Sequence, residues 1–177
     1  AARGAGFSWG MAEEAGRALR WLCARGLPGD GALAALLSAR DGDVLAGACP
    51  LASGTALADR ALTDCRFDAV VSPLLLLPFA AQVATLTGRP VRLAWPGAQV
   101  DLAPDGTAYL GDGAALDAPH AAPVTLQQVA SAEGRLLARG TRAALDAATC
   151  AALDGFAART YAPATPESRL AGAGAGL

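Results

Sequence analysis

Lysine, asparagine and isoleucine are missing from this chain of 177 residues, and all 14 of its basic residues are arginine. A GC-rich genome explains the pattern, because those three residues use AT-rich codons. The chemical consequence is an exclusion. Without lysine there is no Schiff-base enzyme, no lysine-anchored pyridoxal phosphate and no standard phosphate-binding P-loop. Histidine occurs once, as His120, and Cys23, Cys49, Cys65 and Cys150 form no C-x-x-C pair. The spacing therefore supports no zinc site, and neither a metal nor a cofactor is expected. A chain this long does not need disulfides, so the thiols are expected to be free and mostly buried, in a reducing cytoplasm. No run of basic residues occurs, the net charge is -2 and the pI is about 5.3. Nucleic acid is an unsuited partner. Long apolar runs are absent as well. The most hydrophobic stretch, Ala69 to Leu86, is interrupted by Ser72, Pro73, Pro78, Gln82 and Thr85, so it reads as core and a membrane as no partner. No signal-peptide pattern is visible.

What is present is a globular composition: 53% hydrophobic and 17% charged residues. The length suits one α+β domain over 1–162 with a Gly/Ala-rich tail over 163–177. A first helix is predicted from Trp9 or Gly10 to Ala24, burying Ala12, Ala15, Leu19, Leu22 and Cys23. Glu13 and Glu14 are placed in its first turn, and Arg25-Gly26 stops it. Further helices are predicted at Gly31 to Ala39 and Thr55 to Leu62, with Pro50 and Gly54 as breaks, and a strand at Cys65 to Val71. Ser72 reads as a cap for a helix that ends before Gly88 and is kinked or split at Pro78. From Arg89 the period becomes two. Strands are predicted around Val91–Trp95, on both sides of Pro104-Asp-Gly106, over Pro123–Val129 and over Thr141–Leu145. Asp146 caps a last helix to Thr160 that buries Leu153, Phe156 and Tyr161. Helices first, then antiparallel strands, then a helix give an α+β fold.

The densest chemistry lies in Ala1 to Arg17. Glycines at 4, 6 and 10 loosen the backbone for close approach by a ligand or another segment of chain. Glu13 and Arg17 are spaced i,i+4, with Arg20 further along the same stripe. Such a wall holds an anion through arginine, with Glu13 or Glu14 as a base. The same spacing also serves an exposed ion pair on a solvated helix face. The run G-A-G-F-S-W-G is no dinucleotide fingerprint, for no strand precedes it and the glycine spacing differs.

Ser8 suits a helix cap better than a nucleophile. A serine nucleophile would need His120, held between Pro119 and Pro123, as its base. Trp9, Trp21 and Trp95 are read as core or interface residues before ligand platforms. Asp41-Gly-Asp43, Pro104-Asp-Gly106 and Gly111-Asp-Gly113 are turns without calcium-loop continuation. Glu167-Ser-Arg169 brings charge to the tail, which is expected to dock over the opening loop or onto a neighbouring subunit.

The runs Arg3-Gly-Ala-Gly-Phe-Ser-Trp-Gly-Met-Ala-Glu-Glu-Ala-Gly-Arg17 and Glu167-Ser-Arg-Leu-Ala-Gly-Ala-Gly-Ala-Gly176 resemble a family of proteobacterial proteins of unknown function. The resemblance extends over the whole chain and implies a bacterial, cytoplasmic protein. It carries no activity and no site residue. The residues themselves favour an enzyme or binding protein for a small anionic, carboxylate-type metabolite. Arg3, Ser8, Trp9, Arg17 and Arg169 would bind it, with Glu13, Glu14 and His120 as catalytic candidates. The alternative is a non-catalytic accessory subunit that assembles, for example as a homo-oligomer.

Overall fold

The computed structural model describes residues 1–42, 49–140 and 145–161. Among the described residues, five helices, an antiparallel six-stranded sheet and a two-stranded ribbon make an α+β fold, with the sheet in the second half and a helix after it.

Helix α1 spans Trp9–Cys23. Ser8 starts it by accepting a hydrogen bond from the Met11 amide at 3.3 Å. With the start fixed there, Glu13 and Glu14 lie beyond the first turn, not in it, so dipole stabilisation does not account for them. Ala15, Ala18 and Leu22 are buried, whereas Ala12, Leu19 and Cys23 are only half-buried. A Schellman ending closes the helix. The Leu27 amide donates to the Leu22 carbonyl and the Gly26 amide to that of Cys23, both at 3.1 Å, with Gly26 at φ +67°.

Helix α2 is Gly29–Asp41 and α3 is Pro50–Asp59. The third helix begins earlier than its sequence suggests. Pro50 occupies the first helical position, where it needs no amide, so it starts the helix instead of breaking it. Gly54 is inside α3 because a Cβ there would run into the Phe79 ring. The strand expected at Cys65 to Val71 is two strands in different sheets, β1 (Cys65–Phe67) and β2 (Val70–Val71). Ser72 does not cap. It sits in the left-handed region at φ 46°, and its amide donates to the Pro119 carbonyl at 2.8 Å. A 3-10 turn, Pro73–Leu76, leads into α4, Leu77–Thr87, with Pro78 in the first turn and Gly88 at φ +66° ending it.

Strands β3 (Val91–Trp95), β4 (Ala98–Leu102) and β5 (Ala108–Asp112) form a meander. Two-residue strands β6 (His120–Ala121) and β8 (Arg135–Leu136) flank β7 (Val124–Gln128) in sequence. The sheet order is β1-β7-β3-β4-β5-β8, and β2 pairs with β6. Val91, Leu93 and Trp95 turn inward in β3, as alternation requires, and Trp95 Nε1 donates to the Ala115 carbonyl at 2.9 Å. Helix α4 packs on β3 and β4, α1 and α3 pack against α4, and α2 packs against α1. Leu74 to Leu77 are buried at this junction, which is the centre of the core.

One charged pair is held on the other face of the sheet from Val91, Leu93 and Trp95. Arg92 and Asp101 are directly opposite in the β3–β4 register, and the carboxylate accepts from Nε at 2.7 Å and Nη2 at 2.8 Å. Asp101 is fully buried and also accepts from the Glu133 amide at 3.0 Å. The pairing raises the Arg92 pKa above its ordinary value.

The last helix, α5, is Ala147–Ala158, and the Asp146 carboxylate caps it through the Thr149 amide at 2.8 Å. Phe156 is buried and Leu153 half-buried, but Tyr161 is 75% exposed, because the helix ends before it. The expected strand at Thr141–Leu145 lies outside the described residues except for Leu145, which joins no strand. The tail 163–177, with Glu167 and Arg169, also lies outside them. Among the described residues no helix is long and apolar enough to cross a membrane. The four cysteines are free and half-buried, less enclosed than their residue type suggests.

Candidate functional site

The opening loop is held down by its own small and apolar residues. Ala2, Ala5 and Phe7 are buried. Gly6 turns the chain at φ +85°, and Gly4 lies against the Phe156 carbonyl of α5 so closely that no side chain fits. Arginines complete the attachment. Arg40 of α2 donates from Nε to the Ala5 carbonyl and from Nη2 to that of Gly6, both at 3.2 Å, and its guanidinium lies 4.4 Å from the Phe7 ring centre. Arg159 makes a two-pronged ion pair with Asp41 at 2.6 and 3.1 Å, joining the end of α5 to the end of α2. The Arg159 hydrogen bonds hold the Asp41 carboxyl below the usual carboxylate range.

Between this loop, the start of α1 and the end of α5 lies a cleft of about 550 Å³, lined by Ala1, Ala2, Arg3, Trp9, Ala12, Arg159 and Thr160. Arg3 donates from Nη1 to the Phe7 carbonyl and stacks 4.8 Å from the Trp9 ring centre. It forms no ion pair among the described residues. Trp9 is 73% exposed. Among the described residues no carboxylate lines the cleft, and while Arg159 is neutralised by Asp41, Arg3 is not.

The remaining predicted residues go elsewhere. At about 100° per residue, Glu14, Ala18 and Trp21 fall on the side of α1 opposite Trp9 and Ala12, and Arg17 lies at the edge of that side. They line a second cleft, of about 260 Å³, with Thr55, Ala58 and Asp59 of α3 and Pro78, Phe79 and Gln82 of α4. Arg17 is paired with Glu14 there, and Glu13 stands 3.9 Å away. Ser8 caps α1. His120 is exposed in β6, opposite Val71, and lines neither cleft. Among the described residues no three His, Cys, Asp or Glu side chains group as metal ligands.

Two residues of the first cleft, Arg159 and Thr160, escaped the sequence reading. Their helix carries no sign in sequence that it returns to the opening loop. Gly4 was the available signal, since a glycine permits close approach by another segment of backbone.

A family model described as "Protein of unknown function (DUF3726)" matches residues 1–62 of the 177. That span contains the opening loop, α1, α2 and α3, and it assigns no activity. No curated protein and no solved structure matches the chain.

Proposed function

We propose that the chain is a binding protein for a small carboxylate-type metabolite, held in the cleft between the opening loop, α1 and α5. The observation that carries this reading is Arg3, which among the described residues is a guanidinium without a carboxylate partner in a cleft that no acidic side chain lines. Arg3 grips the anion as a charge-assisted donor. Trp9 offers a flat apolar wall, and Arg159 and Thr160 form the opposite side.

The test is thermal unfolding with succinate or citrate for the wild type, Arg3→Gln and Arg17→Gln. A ligand at a hundred times its Kd adds about 2.7 kcal/mol of stability. Arg3→Gln is expected to lose the shift and Arg17→Gln, on the opposite side of α1, to keep it. A wild type indifferent to both acids, or a full shift in Arg3→Gln, rejects the reading.

Trp9 at 73% and Tyr161 at 75% exposure also favour self-association through this face. That reading predicts sedimentation that depends on protein concentration and is abolished by Trp9→Ala.

A further inference from the structure

The cleft between α1, α3 and α4 shares no residue with the one assigned above, and its charge has the opposite sign. We infer that it is a separate site for a small organic amine, an ammonium group carried on an apolar body.

The floor sets the body. Ala18, Ala58 and Phe79 are buried beneath the cleft, and Trp21 and Pro78 complete the apolar wall. A cleft of about 260 Å³ falls just below the about 300–1,000 Å³ usual for drug-sized ligands, so it takes a smaller molecule.

The rim sets the charge. Two carboxylates, Glu14 and Asp59, face one guanidinium, Arg17. That guanidinium is already engaged by Glu14, with Glu13 close behind. Asp59 forms no ion pair among the described residues. A carboxylate ligand would have to displace Glu14 and sit beside Asp59, whereas an ammonium meets Asp59 directly.

Trp21 sorts the two halves of the ligand. The Arg25 guanidinium lies 3.7 Å from its ring centre, fixed by hydrogen bonds to the Trp21 and Gly106 carbonyls at 3.2 and 2.9 Å. A cation already stacked on the indole weakens its pull on a second one. The ring therefore receives the apolar body, and the ammonium goes to the carboxylate rim.

Isothermal titration of the full chain with 2-phenylethylamine and with 3-phenylpropionate tests this. The amine is expected to bind and the acid not to bind at this cleft. Asp59→Asn, an exposed change at the end of α3, should weaken the amine about tenfold by removing one close charge. Gln82→Trp, placed on the exposed rim, should block the amine, and Arg3→Gln should leave it unchanged. No heat with the amine, amine affinity unchanged by Asp59→Asn, amine binding that survives Gln82→Trp, or acid binding that Gln82→Trp abolishes would each overturn the inference. None of these outcomes touches the Arg3 cleft, which is tested by the response to Arg3→Gln.

Discussion

The carbonyl oxygen of Phe156 occupies the place where Gly4 would carry a Cβ, so the first loop and the last helix meet backbone to backbone. This contact builds the candidate anion cleft, because it brings Arg159 and Thr160 to face Arg3 and Trp9.

Gly4→Ala is therefore expected to cost about 1–3 kcal/mol, the usual range for a forced overpacking. Gly10, with no atom within 4 Å of an added Cβ and a place in α1, behaves in the opposite way. Gly10→Ala should stabilise by about 0.4–1 kcal/mol. Urea unfolding of the two variants beside the wild type measures both.

The Arg92–Asp101 pair predicts an asymmetry. Asp101 is fully buried, while the Arg92 side chain is 30% exposed. Arg92→Ala strands a buried carboxylate and should cost about 3–5 kcal/mol. Asp101→Ala leaves a guanidinium that water reaches and should cost less, about 1–3 kcal/mol. Equal losses in urea midpoints at constant slope would contradict this.

Asp41 supplies a pH dependence. Its folded pKa is lowered, so the contribution is present above the ordinary carboxylate pKa and lost as pH falls through the folded value. Between neutral pH and about pH 4 the wild type should remain more stable than Asp41→Asn. Below that the two unfolding curves should converge. Parallel curves down to pH 2 would remove Arg159–Asp41 as a tie between α5 and α2.

Burial pushes the Cys65 thiol above its ordinary pKa, and burial together with Asp30 does the same for Cys23. Alkylation of both by iodoacetamide should reach its half-maximal rate at a pH above about 8.5 in the native protein. In urea both profiles should shift back to that value. Mass mapping of the modified peptides reads each site separately.

Filling the space at Gly54 should disturb the second cleft through its floor. A Cβ there meets the Phe79 ring, so Gly54→Ala is expected to displace Phe79 and to lose about 1–3 kcal/mol. Near-ultraviolet circular dichroism should change with it, since Trp21 borders the same cleft.

Much of the fold was legible in local pattern. Ser8, Gly26, Gly88 and Asp146 punctuate the helices by capping and turn chemistry, which acts within a few residues. The alternation of Val91, Leu93 and Trp95 marked a half-buried strand for the same reason. Pro50 and Gly54 misled because each residue type has two meanings. Proline starts helices as readily as it stops them, and a helical glycine can answer to a neighbour such as Phe79. The two-residue strands β6 and β8 are too short to show any period.

The candidate site was legible as a set of residues and not as an arrangement. Helix geometry alone already sends Trp9 and Glu14 to different sides of α1. Which partners meet them depended on long-range packing: α5 over the opening loop on one side, α3 and α4 on the other. Composition by itself excluded lysine chemistry and a basic nucleic-acid face, and the order of patterns gave an α+β chain. Only the tertiary structure decided that Arg3 stands without a carboxylate partner among the described residues. The Arg17 pairs follow from i,i+3 and i,i+4 spacing on one helix, whereas what stands near Arg3 depends on distances across the fold that no spacing along the chain records.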